Sequence, residues 1–95
     1  MATKYQKELS EFLGPDYSMK IIDGEDCIYR KLNAHYDIEI SGTDRRGGLM
    51  NLYLWDISSG EGKSARLVKN VFGIRGRGHL ESVLRDIIAE YSDLT

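Results

Sequence analysis

The segment Leu49 to Ile57, LMNLYLWDI, constrains the fold more than any other stretch of the chain. Successive side chains of an extended backbone point to opposite sides. Leu52 and Leu54 therefore share one side, and Tyr53, Trp55 and Ile57 share the other. A strand that is apolar on both sides reads as a central strand of a sheet rather than an edge. Its neighbours in sequence supply the flanks. Tyr36 to Ser41 alternates Ile38 and Ile40 against Asp37, Glu39 and Ser41, the pattern of a strand with one buried face. The connection between the two, Gly42 to Gly48, is rich in turn residues and reads as a hairpin tip. On the other side, Ser58 to Ser64 reads as a Gly-rich turn. Arg66 to Phe72 then alternates Leu67, Lys69 and Val71 against Arg66, Val68, Asn70 and Phe72. Upstream, Tyr17 to Ile22 and Cys27 to Leu32 flank the turn signal Asp23-Gly24.

Helical periodicity frames this run of strands. Tyr5, Leu9, Phe12 and Leu13 make one face of a helix over Thr3 to Leu13, with Thr3 as N-cap and Gly14-Pro15 as terminator. Leu80, Val83, Leu84, Ile87, Ile88 and Tyr91 form the apolar stripe of a second helix over His79 to Tyr91. The order predicts an α+β fold in a single domain over residues 1–95. It comprises an antiparallel β-meander of three to five strands, with the N- and C-terminal helices packed on one face. Ile38, Ile40, Leu52 and Leu54 are the sheet side of the expected core.

Ninety-five residues leave room for one core and little room for a deep catalytic cavity. A single cysteine, Cys27, excludes an internal disulfide. No apolar run is long enough to span a membrane, and the first residues lack the apolar region of a secretory signal. These features place the expected protein in the cytosol, away from membranes.

The formal net charge is -2, but the charges are divided unevenly. Residues 1–62 hold 7 basic and 11 acidic side chains; residues 63–79 hold five basic and none acidic; residues 80–95 hold 1 basic and 4 acidic. The basic block ends in Gly73-Ile-Arg-Gly-Arg-Gly78, read as a loop leading into the last helix. The first N–H groups of a helix are unpaired and carry the positive end of its dipole. Arg75 and Arg77, helped by Lys63, Lys69 and His79, are thus candidates for holding phosphates of a nucleic acid or another anion. The competing reading is a solvated loop whose glycines only shape the turn. A dinucleotide fingerprint is excluded by the glycine spacing and by the lack of a βαβ unit. Gly60-Glu-Gly-Lys-Ser64 is not a P-loop: Ile57 stands where the first glycine belongs, and a strand follows where a helix is required.

Two further surfaces are candidates. If Leu52 and Leu54 face the helices, Tyr53 and Trp55 face away, and two short helices cannot cover both sides of a sheet. That strip is a candidate partner or homodimer surface, unless Tyr29 and Tyr36 cap it. At the hairpin tip, Asp44-Arg45-Arg46-Gly47-Gly48 presents two adjacent arginines that either are simply solvated or reach a partner's acidic surface or a nucleic-acid groove. Cys27, His35 and His79 have no catalytic or metal-ligand spacing, and Asp23, Glu25 and Asp26 lack the pattern of a calcium loop. The sequence therefore predicts no enzyme, metal or cofactor.

The α-β-β-β-α order resembles the double-stranded-RNA-binding domain. In that family a basic patch at the start of the last helix grips phosphates, which implies such a role for Arg75, Arg77 and His79. The family's consecutive lysines and groove-reading loop are missing here. Tyr36-Asp-Ile-Glu-Ile-Ser-Gly42, the Asp44-Arg45-Arg46 tip and the aromatic strand ending Leu-Trp-Asp-Ile57 resemble short uncharacterised proteins from mobile elements and phages of gut Firmicutes. That resemblance covers residues 28 to 92. It implies an accessory role, within a pool of small folds that includes anti-CRISPR inhibitors. The expected function is a non-catalytic module that binds a host protein through Tyr53, Trp55, Arg45 and Arg46. The alternative is a nucleic-acid binder using Arg75, Arg77, Lys63 and Lys69.

Overall fold

Five strands form one antiparallel sheet whose spatial order repeats the chain order: β1 (Ser18–Ile22), β2 (Glu25–Lys31), β3 (Tyr36–Ser41), β4 (Leu49–Asp56) and β5 (Arg66–Arg75). Helix α1 (Lys4–Leu13) precedes the sheet and α2 (Gly76–Tyr91) follows it. The structure is a computed structural model that describes residues 2–58 and 65–92. The predicted α+β meander is therefore present, with five strands. As its two apolar sides require, β4 is interior, pairing with β3 on one edge and β5 on the other.

Directly paired residues share a face of a sheet, so the register sorts the side chains. Ile28, Ile40, Leu52 and Val71 lie in one cross-strand row, and Ile38 and Leu54 in the next. Leu9 of α1 and Leu80, Leu84 and Ile87 of α2 join these residues in one buried cluster. Both helices thus cover the same face. Ile38, Ile40, Leu52 and Leu54 are fully buried, each contributing about 1.5–3 kcal/mol relative to an exposed side chain.

Helix α1 starts with a reciprocal capping box. Thr3 Oγ1 accepts from the Gln6 N–H, and Gln6 Oε1 accepts from the Thr3 N–H at 2.7 Å. The Gln6 side chain is buried, and its Nε2 donates to the Asp26 carbonyl and to buried Thr43 Oγ1. Three polar groups from distant parts of the chain are satisfied by one amide. At the opposite end, Asn33 Nδ2 donates to the Tyr91 carbonyl and so ties the β2–β3 turn to the last turn of α2.

The β5–α2 junction corrects the sequence reading. Gly73 to Gly78 is not a loop: β5 continues to Arg75, three residues past Phe72, and α2 begins at Gly76 rather than His79. The reason is pairing. Met50 pairs with Ile74 and Leu49 with Arg75, and Ile74 is fully buried. Between these pairs and Leu52–Val71 the register shifts, so Phe72 and Gly73 both face Asn51. Gly73, at φ 71°, takes up this β-bulge. A second shift, between Leu54–Lys69 and Trp55–Leu67, inserts Val68. The bulge places Leu67 on the face opposite to Val71, against the simple alternation expected from sequence.

Candidate functional site

Among the described residues no helix covers the second face of the sheet. Its register gives two rows: Tyr29, Glu39, Tyr53 and Asn70, then Lys31, Asp37, Trp55 and Leu67. Tyr53 and Trp55 stack with ring centroids 6.3 Å apart, and Phe72 meets Tyr53 edge-on at 6.3 Å. Phe72 is 66% exposed. The aromatic strip predicted around Tyr53 and Trp55 is therefore on the uncovered face, and it extends to Phe72, two residues beyond Asn70, the partner of Tyr53. Of the two residues considered as caps, Tyr29 shares this face. Tyr36 lies on the helix side, edge-on to Tyr91 at 5.2 Å.

Toward β1 the same face is hollowed into a groove of about 560 Å³, bordered by Lys20, Ile22, Tyr29, Asp37, Glu39 and Trp55. Two diagonal hydrogen bonds organise it. The Tyr29 hydroxyl donates to Asp37 Oδ2 at 2.9 Å, and Trp55 Nε1 donates to Glu39 Oε1 at 3.2 Å. Burial pushes both carboxylates above the ordinary range, and these hydrogen bonds pull them partly back. Burial, then the bond to Asp37, pushes the Tyr29 hydroxyl up to about 12, so it remains a donor. Asp37 Oδ1 and Asn70 Oδ1 are buried and accept no hydrogen bond from the described residues, an arrangement that costs about 1–3 kcal/mol per group. Lys20 Nζ sits over the Tyr29 ring, 4.2 Å from its centroid.

The sequence reading placed Asp37 and Glu39 on a solvent face, named Tyr29 only as a cap over the aromatic strip, and did not single out Lys20 or Phe72. The available signal was register: a polar strand face bordered by Tyr29 on one strand and Trp55 on the other has donors within reach.

The arginines form a separate region. Arg46 at the hairpin tip folds back onto α1, pairing with Glu8 at 3.4 Å and lying 5.1 Å over the Tyr5 ring. Arg77 stacks 4.7 Å over Phe12. Arg46 and Arg77 border one small cleft with Tyr5, Glu8 and Gly76, so two motifs read separately in the sequence meet. Arg45 packs along Gly48 beside it. Arg75 is the residue before α2, and its N–H donates to His79 Nδ1 at 3.2 Å. Lys69 is not part of this group: it pairs with Leu54 on the helix side and bridges to Glu90 at 3.6 Å. Lys63 and the Gly60–Ser64 segment lie outside the described residues.

Cys27 is buried, and desolvation first, then Glu25, Glu39, Asp26 and Asp23, push its thiol up to about 11. It is held as a thiol at neutral pH, the opposite of an activated nucleophile. Among the described residues no group of three His, Cys, Asp or Glu is placed to hold a metal, and no helix is long and apolar enough to cross a membrane. The chain matches no family model, no curated protein and no solved structure.

Proposed function

We propose that this chain is a binding module that docks a protein partner on the uncovered face of its sheet and does no chemistry on it. The observation that supports this reading is the contiguous aromatic row Trp55, Tyr53 and Phe72 on a face that neither helix covers. Large aromatic side chains held rigid by their neighbours bury much area at little entropic cost, which is why they anchor interfaces. The partner that fits presents an apolar segment to this row. The role is that of an accessory protein that acts by occupying a host macromolecule, as the resemblance to mobile-element and phage proteins implies.

The test is capture from host lysate, with and without nuclease, using wild type, Phe72→Ala and Trp55→Ala. Phe72 is so exposed that its truncation should leave the fold intact. A nuclease-resistant partner should be lost from both variants, weakened at least tenfold. Equal capture by wild type and folded Phe72→Ala would sink the reading. Light scattering showing twice the monomer mass for wild type, and one monomer mass for Phe72→Ala, would replace the foreign partner by a second copy.

One observation favours a second reading, nucleic-acid contact: Arg46 and Arg77 meet at one cleft, each stacked on an aromatic ring of α1.

A further inference from the structure

We propose that the groove between Tyr29 and Trp55 is a receptor for one basic side chain of the partner, an ammonium or guanidinium that comes to rest between the two rings against Asp37 and Glu39. This rests on the reading of the uncovered face as a docking surface and specifies the chemistry of what docks there.

Each carboxylate has one oxygen fixed by an aromatic donor, Asp37 Oδ2 by Tyr29 and Glu39 Oε1 by Trp55. Their orientation is set, yet each retains acceptor capacity, since a carboxylate can accept about four hydrogen bonds. Asp37 Oδ1 accepts none from the described residues, and no ion pair of Asp37 or Glu39 occurs among them. Two half-buried carboxylates beside two aromatic rings match what a cation seeks: opposite charge and electron-rich ring faces.

The chain supplies a cation of its own at this wall. Lys20 already places its ammonium over the Tyr29 ring in this groove, so the wall attracts a cation at this spot. Lys20 reaches the ring without forming an ion pair with either carboxylate. A basic group entering from outside meets an aromatic wall that a tethered lysine uses and carboxylates with which that lysine makes no ion pair.

The neighbouring charges act in the same direction. Asp23, Asp37 and Glu25 all act on Glu39 to disfavour its charge, and Glu25, Glu39, Asp26 and Asp23 do the same to Cys27 beneath the same face. Lys20 and Lys31 oppose them at Asp37. Toward Glu39 and Cys27 the acidic influences dominate, so this part of the face favours an arriving positive charge.

The alternative is that Asp37 and Glu39 serve only to hold Tyr29 and Trp55 in place. Trp55 is the only tryptophan in the chain, so its indole N–H gives a single NMR signal inside the groove. The probes are the peptides acetyl-Leu-Arg-Leu-amide and acetyl-Leu-Gln-Leu-amide, titrated to millimolar concentration. The Arg peptide should shift the indole signal saturably, with the Gln peptide at least tenfold weaker. Asp37→Asn combined with Glu39→Gln keeps both hydrogen-bond acceptors, and should weaken the Arg peptide at least tenfold while preserving the rest of the spectrum. Lys20→Ala, which frees the Tyr29 ring, should tighten binding and serves as the decisive variant if the double variant does not fold. Equal shifts by both peptides, no saturable shift, or undiminished binding by the folded double variant overturns the receptor. The two proposals separate in the capture experiment. A partner lost from Phe72→Ala but kept by the double variant removes the receptor and leaves the docking face standing.

Discussion

Asp37 has two opposed effects. It gives Tyr29 a hydrogen-bond acceptor, and it places a negative charge where burial disfavours one. Its carboxyl is held above its unfolded range, so the protonated form is favoured by folding. The sign follows. The folded state loses stability as pH rises through the folded-state value, and recovers it as pH falls below the ordinary carboxylate range. Asp37→Asn keeps the acceptor and removes the charge. The variant should therefore have a higher Tm than wild type at pH 7, and the gap should close as the pH is lowered through the carboxylate range. A gap that widens toward acid in paired melting curves would show that the charge stabilises the fold. Little of this was legible in the sequence. The alternation in Tyr36–Ser41 located Asp37 on the face away from Ile38 and Ile40, correctly. What it could not supply was the pairing register that brings the Tyr29 hydroxyl within reach of Asp37 and the Trp55 indole within reach of Glu39. Gln6 was hidden for a related reason: its partners, Asp26 and Thr43, are remote in sequence.

Among the elements, β5 and α2 depart most from the sequence reading, and backbone conformation explains why. Gly73, Gly76 and Gly78 look like loop punctuation, whereas Gly73 sits at a bulge inside a paired strand. Alternation marks a regular strand, and a bulge breaks alternation without ending the pairing, so the strand extends past the point where its pattern fails. Helix α1 and the first four strands were legible because each keeps its period to the end, with terminators such as Gly14. Two glycines with similar backbone angles now separate by what surrounds them. Gly42 has φ 72°, and a Cβ there would lie 2.5 Å from the Leu49 carbonyl oxygen; at Gly73 a Cβ would meet nothing within 4 Å. Gly73→Ala carries only the left-handed backbone cost, about 1–2 kcal/mol. Gly42→Ala adds a clash with backbone that cannot rotate away, for about 2–4 kcal/mol in total. Urea titrations should rank Gly42→Ala well below Gly73→Ala. The reverse order would mean that the hairpin tip shifts easily and is not anchored to α1 as Arg46 and Thr3 suggest.

For the whole molecule, charge and surface divide by location. The aromatic row and the acidic groove occupy the open face, while Arg46 and Arg77 gather where α1, the hairpin tip and the start of α2 meet. Lys69, bridged to Glu90 on the helix side, does not extend that basic region. If the arginines contact nucleic acid, the contact should involve few phosphates and its affinity should fall with salt, with a log–log slope of magnitude about 2. Arg46→Ala with Arg77→Ala should then abolish duplex retention in filter binding at low salt. Retention unchanged by that double substitution would remove the second reading without touching the open face. The sequence also predicted correctly that two helices would cover one face, since only one side of the strands carries a continuous aliphatic row.

The identity of spatial and chain order in the sheet has a kinetic consequence. Each strand pairs with the strand synthesised next to it, so a growing sheet closes short loops in succession, and loop closure is cheap when loops are short. Helix α1 is different. Gln6 meets Asp26 and Thr43, and Thr3 meets Asp44, across 20, 37 and 41 residues. The contacts with Thr43 and Asp44 have no partner until the β3–β4 hairpin exists. Folding therefore resembles closing a zipper and then fastening a clasp, with α1 as the clasp and its buried amide as the catch.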